Sequence, residues 1–192
     1  MKKKMLIIEK SLQDKIKKLS PEMQKLIFEL YETSIRDPKT GLYNYRLFET
    51  VLEMEIEKAK RGQENLSLIM VDIDDFKKIN EKYGHIRADD ILVRLAKVMS
   101  RTMRAYDILS RFGGEEFMIL LPETNLKNAK LFSERLKQKI YEDKFLSKHG
   151  IKVSGGIAQY KKSETAKRFK ERVNLALRKA KSQGKDRFVV AK

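Results

Sequence analysis

Cysteine and tryptophan are absent from the 192 residues, proline occurs three times and histidine twice. Without cysteine there is neither a disulfide nor a thiolate metal site, and an intracellular setting is unremarkable. Long apolar runs are missing as well. None approaches the roughly 18 to 20 residues that a spanning helix needs, and the apolar patch after Lys2-Lys3-Lys4 is too short for a signal peptide, so the expectation is a soluble, cytoplasmic chain. There is no internal repeat and no low-complexity tract. The length suits one ordinary domain with an appendage.

What is present divides near residue 36. Leu12, Ile16, Leu19, Met23, Leu26 and Leu30 recur in steps of four and three, a heptad spacing that predicts helix from Met5 to about Ile35. Ser20-Pro21-Glu22 reads as an N-cap with proline at the first helical position, so two helices with a break are expected rather than one rod. Their apolar stripe suits either a paired helix or packing on the same chain. Arg36-Asp37-Pro38-Lys39-Thr40-Gly41 is turn-rich and sets the boundary between an N-terminal helical segment, 1–36, and a domain, 37–192.

Within that domain a helix is predicted through Phe48, Leu52 and Ile56, ended by Arg61-Gly62. A short one carries Phe76, Ile79 and Asn80 to Tyr83-Gly84, and a longer one runs from about Asp89. Asn125 caps a helix through Phe132, Leu136 and Ile140, and a last helix runs through Phe169, Val173 and Ala180. Val153 to Ala158 reads as a strand with Gly155 and Gly156 where something packs close, and Arg187 to Val190 as a closing strand. Interleaved strands and helices predict an α/β sandwich with a mostly antiparallel sheet and helices on both faces.

Two stretches carry chemistry. Leu66-Ser67-Leu68-Ile69-Met70-Val71-Asp72-Ile73-Asp74 is apolar at nearly every position and then abruptly acidic, the pattern of a central strand ending in carboxylates. Arg111-Phe112-Gly113-Gly114-Glu115-Glu116-Phe117 lies between two apolar runs, so its glycines fall where a hairpin needs positive φ. Glycine also lets a ligand approach the backbone, and the adjacent glutamates are hard oxygen ligands. Carboxylates on a buried strand end and on a neighbouring hairpin can together hold Mg²⁺ against nucleotide phosphates.

These stretches, with Asp37-Pro38-Lys39-Thr40-Gly41-Leu42-Tyr43-Asn44-Tyr45-Arg46, Asp72-Ile73-Asp74-Asp75-Phe76-Lys77-Lys78-Ile79-Asn80 and Tyr83-Gly84-His85, resemble in order and spacing the GGDEF-domain diguanylate cyclases, in the GGEEF variant. The resemblance runs from about Asp37 to the C-terminus. It implies a palm-like nucleotidyl cyclase fold and condensation of two GTP into cyclic di-GMP with release of two pyrophosphates. It implies a catalytic group of Asp72, Glu115 and Glu116, with Asp72, the Ile73 carbonyl, Glu115 and Glu116 around Mg²⁺ or Mn²⁺. Asn80 and Asp89 stand at the guanine-recognition positions; the backbone around Asp75, Phe76 and Lys77, with Gly113, Gly114, Lys181 and Lys185, contacts the substrate. Arg104 and Asp107 form an RxxD unit at the spacing of the family's product-inhibition site, with Arg135 as a secondary arginine. His85 is read as structural and His149 as surface.

The resemblance further implies a homodimer, since one site holds one GTP, and an upstream sensor module absent from this chain. Departures are Lys185 for a frequent arginine, Arg178 for tyrosine, Asn174 for aspartate, and Ala88 for the glycine before Asp89. If that glycine supplied an unusual backbone angle, the guanine pocket would be altered and the domain would bind nucleotide without turning it over. Net charge +16 raises nucleic acid as another partner. Its distribution answers that reading: residues 127–192 carry 20 Lys/Arg and 6 Asp/Glu, whereas residues 37–126 carry 14 and 16. The positive surplus thus lies apart from the acidic ligands, as a polyphosphate with its cation requires. No aromatic stacking platform or groove helix is legible, so no nucleic-acid partner is expected.

Overall fold

The computed structural model describes residues 10–62, 64–162 and 164–191. Two helices lead in, Lys10–Ile16 (α1) and Pro21–Ser34 (α2), separated where the sequence predicts the break. Ser20 Oγ accepts the Met23 amide at 3.3 Å and Pro21 supplies a first turn that needs no N–H donor. The expected start at Met5 lies outside the described residues.

The domain follows in the order Tyr43–Asn44 (β1), Tyr45–Gly62 (α3), Leu66–Ile73 (β2), Phe76–Thr102 (α4), Ile108–Gly113 (β3), Glu116–Pro122 (β4), Leu126–Glu142 (α5), Lys144–Lys148 (α6), Val153–Gln159 (β5), Ala166–Ser182 (α7) and Phe188–Val190 (β6). The strands form one sheet in the order β1-β3-β4-β2-β5-β6. The three inner pairings are antiparallel and the two edge pairings parallel, as a mostly antiparallel sheet requires.

Strand β2 is central and buried at all eight positions because both faces are covered. Its period of two sorts the core. Leu68 and Met70 pack with Phe48 and Leu52 of α3 and Phe169, Val173 and Leu177 of α7. Ile69, Val71 and Ile73 pack with Ile91, Leu92 and Leu95 of α4 and Phe132, Leu136 and Ile140 of α5. Gly156 faces α7 so closely that a Cβ there would lie 2.1 Å from the Val173 carbonyl oxygen, and one on Gly155 would meet the Phe188 ring at 2.3 Å. The expected close packing at these glycines is therefore real.

The structure corrects three local expectations. The two helices expected here are both present, as a stretch Phe76–Thr102 broken at Gly84 (φ 78°, ψ 163°), but the second begins directly after Gly84 rather than near Asp89. Only Gly114 of the glycine pair has positive φ, 46°; Gly113 stays in β3 beside a bulge. The elements β1 and α6 went unpredicted, being two and five residues long and too short for periodicity to register.

Candidate active site

Strand pairing assembles the acidic centre. Asp72, near the end of β2, stands opposite Glu116 on β4, and the Ile73 amide donates to the Glu115 carbonyl at 3.4 Å. Asp72 shares the parity of Leu68 and Met70, so its side chain emerges toward α7, where Lys181 Nζ meets Oδ2 at 2.7 Å. Burial pushes the Asp72 carboxyl up to about 6; Lys181 opposes that shift, and the charges of Glu115 and Glu116 add to it. A carboxylate so placed is costly to charge and gains from a cation. The three carboxylates are hard oxygen donors of the kind a divalent ion takes, but among the described residues no group of three or more His, Cys, Asp or Glu is close enough together to hold one.

The two adjacent glutamates open on different spaces. Glu115 lines a cavity of about 330 Å³ with Phe76, Lys77, Asn80, Glu81 and His85 at the first turns of α4. Glu116 lines one of about 450 Å³ on the α7 side, with Lys170, Asn174, Arg178 and Lys181 among its walls. Asp75 starts α4 in the left-handed region (φ 55°, ψ 32°) with no side-chain cap on the first amides. Uncapped amides at a helix start, under the positive end of the helix dipole, are suited to phosphate. Lys185 reaches the same corner, its Nζ 2.7 Å from Asp75 Oδ2.

Sequence reasoning had no means of finding what holds Lys185 there. Lys185 and Asp186 both have positive φ, 61° and 51°. The buried Asp74 fixes this turn, accepting the Asp186 amide at 3.0 Å and the Ser154 hydroxyl at 2.7 Å, while Lys137 and Tyr141 grip Asp186 from α5. Also missed was the brace of the hairpin. Arg111 donates from Nε and Nη2 to the Gly114 carbonyl at 3.0 and 2.7 Å and from Nη1 to both carboxylate oxygens of Asp37 at 3.2 Å.

Other candidate residues fall elsewhere. Asn80 is in the first cavity, its Nδ2 donating to the Phe76 carbonyl at 3.3 Å, but Asp89 is not among that cavity's lining residues and pairs with Lys39. Ala88 is fully buried on helical backbone, so no special angle is called for before Asp89. His85 is exposed and lines the cavity rather than the core, whereas His149 is half-buried against Phe145 and Tyr83 instead of lying free on the surface. Arg104, Asp107 and Arg135 share a separate cavity of about 180 Å³ with Thr124, Asn128 and Phe132. There Asp107 Oδ2 accepts the Arg104 amide at 2.7 Å, and burial pushes its carboxyl up against that bond and the charges of Arg104 and Arg135.

The family model for the diguanylate cyclase GGDEF domain matches residues 34–187, well over half of the chain. The chain belongs to that family. This GGDEF domain is similar to the diguanylate cyclase DgcP of Pseudomonas aeruginosa, 37% identical over 163 residues that make up 83% of this chain and 24% of the relative. Among solved structures it is similar to the diguanylate cyclase SiaD of Pseudomonas aeruginosa, determined with its activator SiaC (TM-score 0.80, 33% identity, 94% of this chain and 70% of that one). It is also similar to the coiled coil and GGDEF domain of DgcB from Caulobacter crescentus, determined with c-di-GMP (TM-score 0.83, 26% identity, 95% and 100%). The chain spans between about a quarter and a half of the length of the curated relatives it matches.

Proposed function

We propose that this GGDEF domain is a diguanylate cyclase, condensing two GTP molecules into cyclic di-GMP with release of two pyrophosphates. The observation that carries this is the buried Asp72, set opposite Glu116 and beside Glu115, next to an uncapped helix start and two lysines. In each half-reaction the ribose 3′-oxygen of one GTP attacks the α-phosphorus of the other. The bond from that phosphorus to the bridging oxygen of the β-phosphate breaks, and pyrophosphate leaves with the electron pair.

The α4 amides after Asp75, together with Lys181 and Lys185, hold the phosphates and oppose their charge. Glu115 takes the 3′-hydroxyl proton. Asn80 and Asp89 recognise guanine, whose N1–H and N2–H₂ donors match a carboxylate that adenine cannot engage. Asp72, Glu115, Glu116 and the Ile73 carbonyl are the groups that would hold Mg²⁺ or Mn²⁺, which when bound neutralises phosphate charge and organises the in-line geometry.

Two substrates on two sites require two copies face to face, so the active form is a homodimer. Among the described residues no helix is long and apolar enough to cross a membrane, and a cytoplasmic setting with an upstream sensor fits this reading. The cavity of Arg104, Asp107 and Arg135 receives the product as a feedback inhibitor: the arginines stack on guanine and fork to phosphate while Asp107 takes base N–H donors.

The test is incubation with GTP and Mg²⁺ and chromatographic detection of cyclic di-GMP. Wild type is expected to form product and Glu115→Ala to lose it by at least about a hundredfold. Added product slows wild type, and Arg104→Ala relieves that inhibition without lowering the initial rate. Binding of GTP by wild type without turnover, at high protein concentration, would reduce the domain to a nucleotide-binding module.

A further inference from the structure

Asp89 sits on α4 five residues beyond the Gly84 kink, and its Oδ1 is held by Lys39 Nζ at 2.5 Å. The side chains are 44% and 39% exposed, so a solute can reach them. Among the described residues this ion pair is the one polar side-chain contact of either group; the adjacent Asp90 is taken by Arg87.

Lys39 is not on a free arm. It belongs to the turn at residues 37–42, closed by the Asp37 amide on the Leu42 carbonyl at 2.8 Å and by Thr40 on the Asp37 carboxylate. The same turn is tied to the hairpin through Asp37 and Arg111, and to α2 through Arg36, which donates to the Gly41 carbonyl and pairs with Glu32. The ammonium is thus delivered to Asp89 from a braced position.

We infer that Lys39 is a specificity-setting residue that competes with guanine for Asp89; this rests on the proposed base-recognition role of Asp89. A guanine edge needs both carboxylate oxygens in its plane, one for N1–H and one for N2–H₂. While the ammonium holds Oδ1, guanine must displace it and recovers only the difference between the two sets of bonds. Adenine offers no such pair of donors. Its N1 is an acceptor that faces repulsion from a bare carboxylate but finds a donor in the ammonium. Lys39 therefore weakens guanine binding and narrows the preference for guanine over adenine. Because the pair is exposed, the effect is modest, about two- to fivefold.

The test is calorimetric titration, with Mg²⁺ present, of 3′-deoxy-GTP and 3′-deoxy-ATP, which lack the attacking hydroxyl and bind without reacting. Lys39→Ala is expected to bind 3′-deoxy-GTP about two- to fivefold tighter and 3′-deoxy-ATP no tighter. Lys39→Arg, which keeps a cation on the carboxylate, shows no tightening. Asp89→Asn loses the preference for 3′-deoxy-GTP. If Asp89→Asn keeps that preference, the base-recognition role fails and the inference with it. If Asp89→Asn loses it while Lys39→Ala binds 3′-deoxy-GTP no tighter than wild type, Asp89 keeps its role and competition by Lys39 is overturned.

Discussion

Ala88 is the residue at which sequence and structure give different weights to the same change. A glycine is expected there from family resemblance, and its loss suggests a damaged guanine pocket; the structure instead puts a fully buried methyl group on ordinary helix, between Gly84 and the Ile91–Leu92 core. Alanine is the better helix former and buries more apolar surface, so Ala88→Gly should cost about 1–2 kcal/mol. Thermal unfolding should show a melting temperature lower by a few degrees, with the turnover rate at saturating GTP unchanged. The carboxylates on which the proposed reaction relies stand out in the sequence because each lies in a short run whose pattern has a reason: acids ending an apolar strand, glutamates following a hairpin glycine. The residues that steady them are not. Lys39 meets Asp89 across 50 positions and Asp37 meets Arg111 across 74, distances at which no spacing rule operates.

At the scale of elements, the hairpin between β3 and β4 is the part on whose shape the proposed chemistry depends, and Arg111 is its brace. Its side chain is 13% exposed and that of Asp37 18%, so the guanidinium spends its donors on two partners with little water to substitute for them. A lysine cannot reach the Gly114 carbonyl and the carboxylate together. Arg111→Lys should therefore lower cyclase activity by about tenfold or more while circular dichroism stays unchanged, since Glu115 and Glu116 would ride on a looser turn. Burial raises the Asp37 carboxyl, but bonds from Thr40 and the charge and bond of Arg111 outweigh it and hold the group below its ordinary value. A depressed carboxyl stabilises the fold above its unfolded value and loses that contribution as pH falls through the folded one. The stability gap between wild type and Asp37→Asn in denaturant titrations should accordingly be full at neutral pH and close in acid. Element types were legible where periodicity ran over several turns. The resumption of α4 directly after Gly84 was not, because one glycine with φ 78° and ψ 163° absorbs the whole change of direction and helix-favouring residues flank it on both sides.

At the scale of the whole molecule, the sheet carries one set of carboxylates and the proposed reaction consumes two nucleotides, so product formation must follow the concentration of paired copies. We propose that the N-terminal helices present the surface for pairing. No side chain of α2 is buried, and Met23, Leu26 and Leu30 stand exposed at heptad steps, Leu30 at 62%. Leucines left in water on one stripe represent unburied apolar area, and burying them against a second copy recovers about 25 cal/mol for each Å². The same segment continues through Arg36 into the turn that carries Asp37 and Lys39, so pairing of the helices is mechanically continuous with the hairpin and with Asp89. Replacing both Leu26→Glu and Leu30→Glu places like charges on the stripe without touching the core. Sedimentation should then show a shift toward monomer. The specific rate of cyclic di-GMP formation should fall by about tenfold at low protein concentration and recover as concentration rises, because the two faces still meet by diffusion. A rate that fell equally at all concentrations, with the variant still dimeric, would mean that the helices position the two sites rather than bring them together.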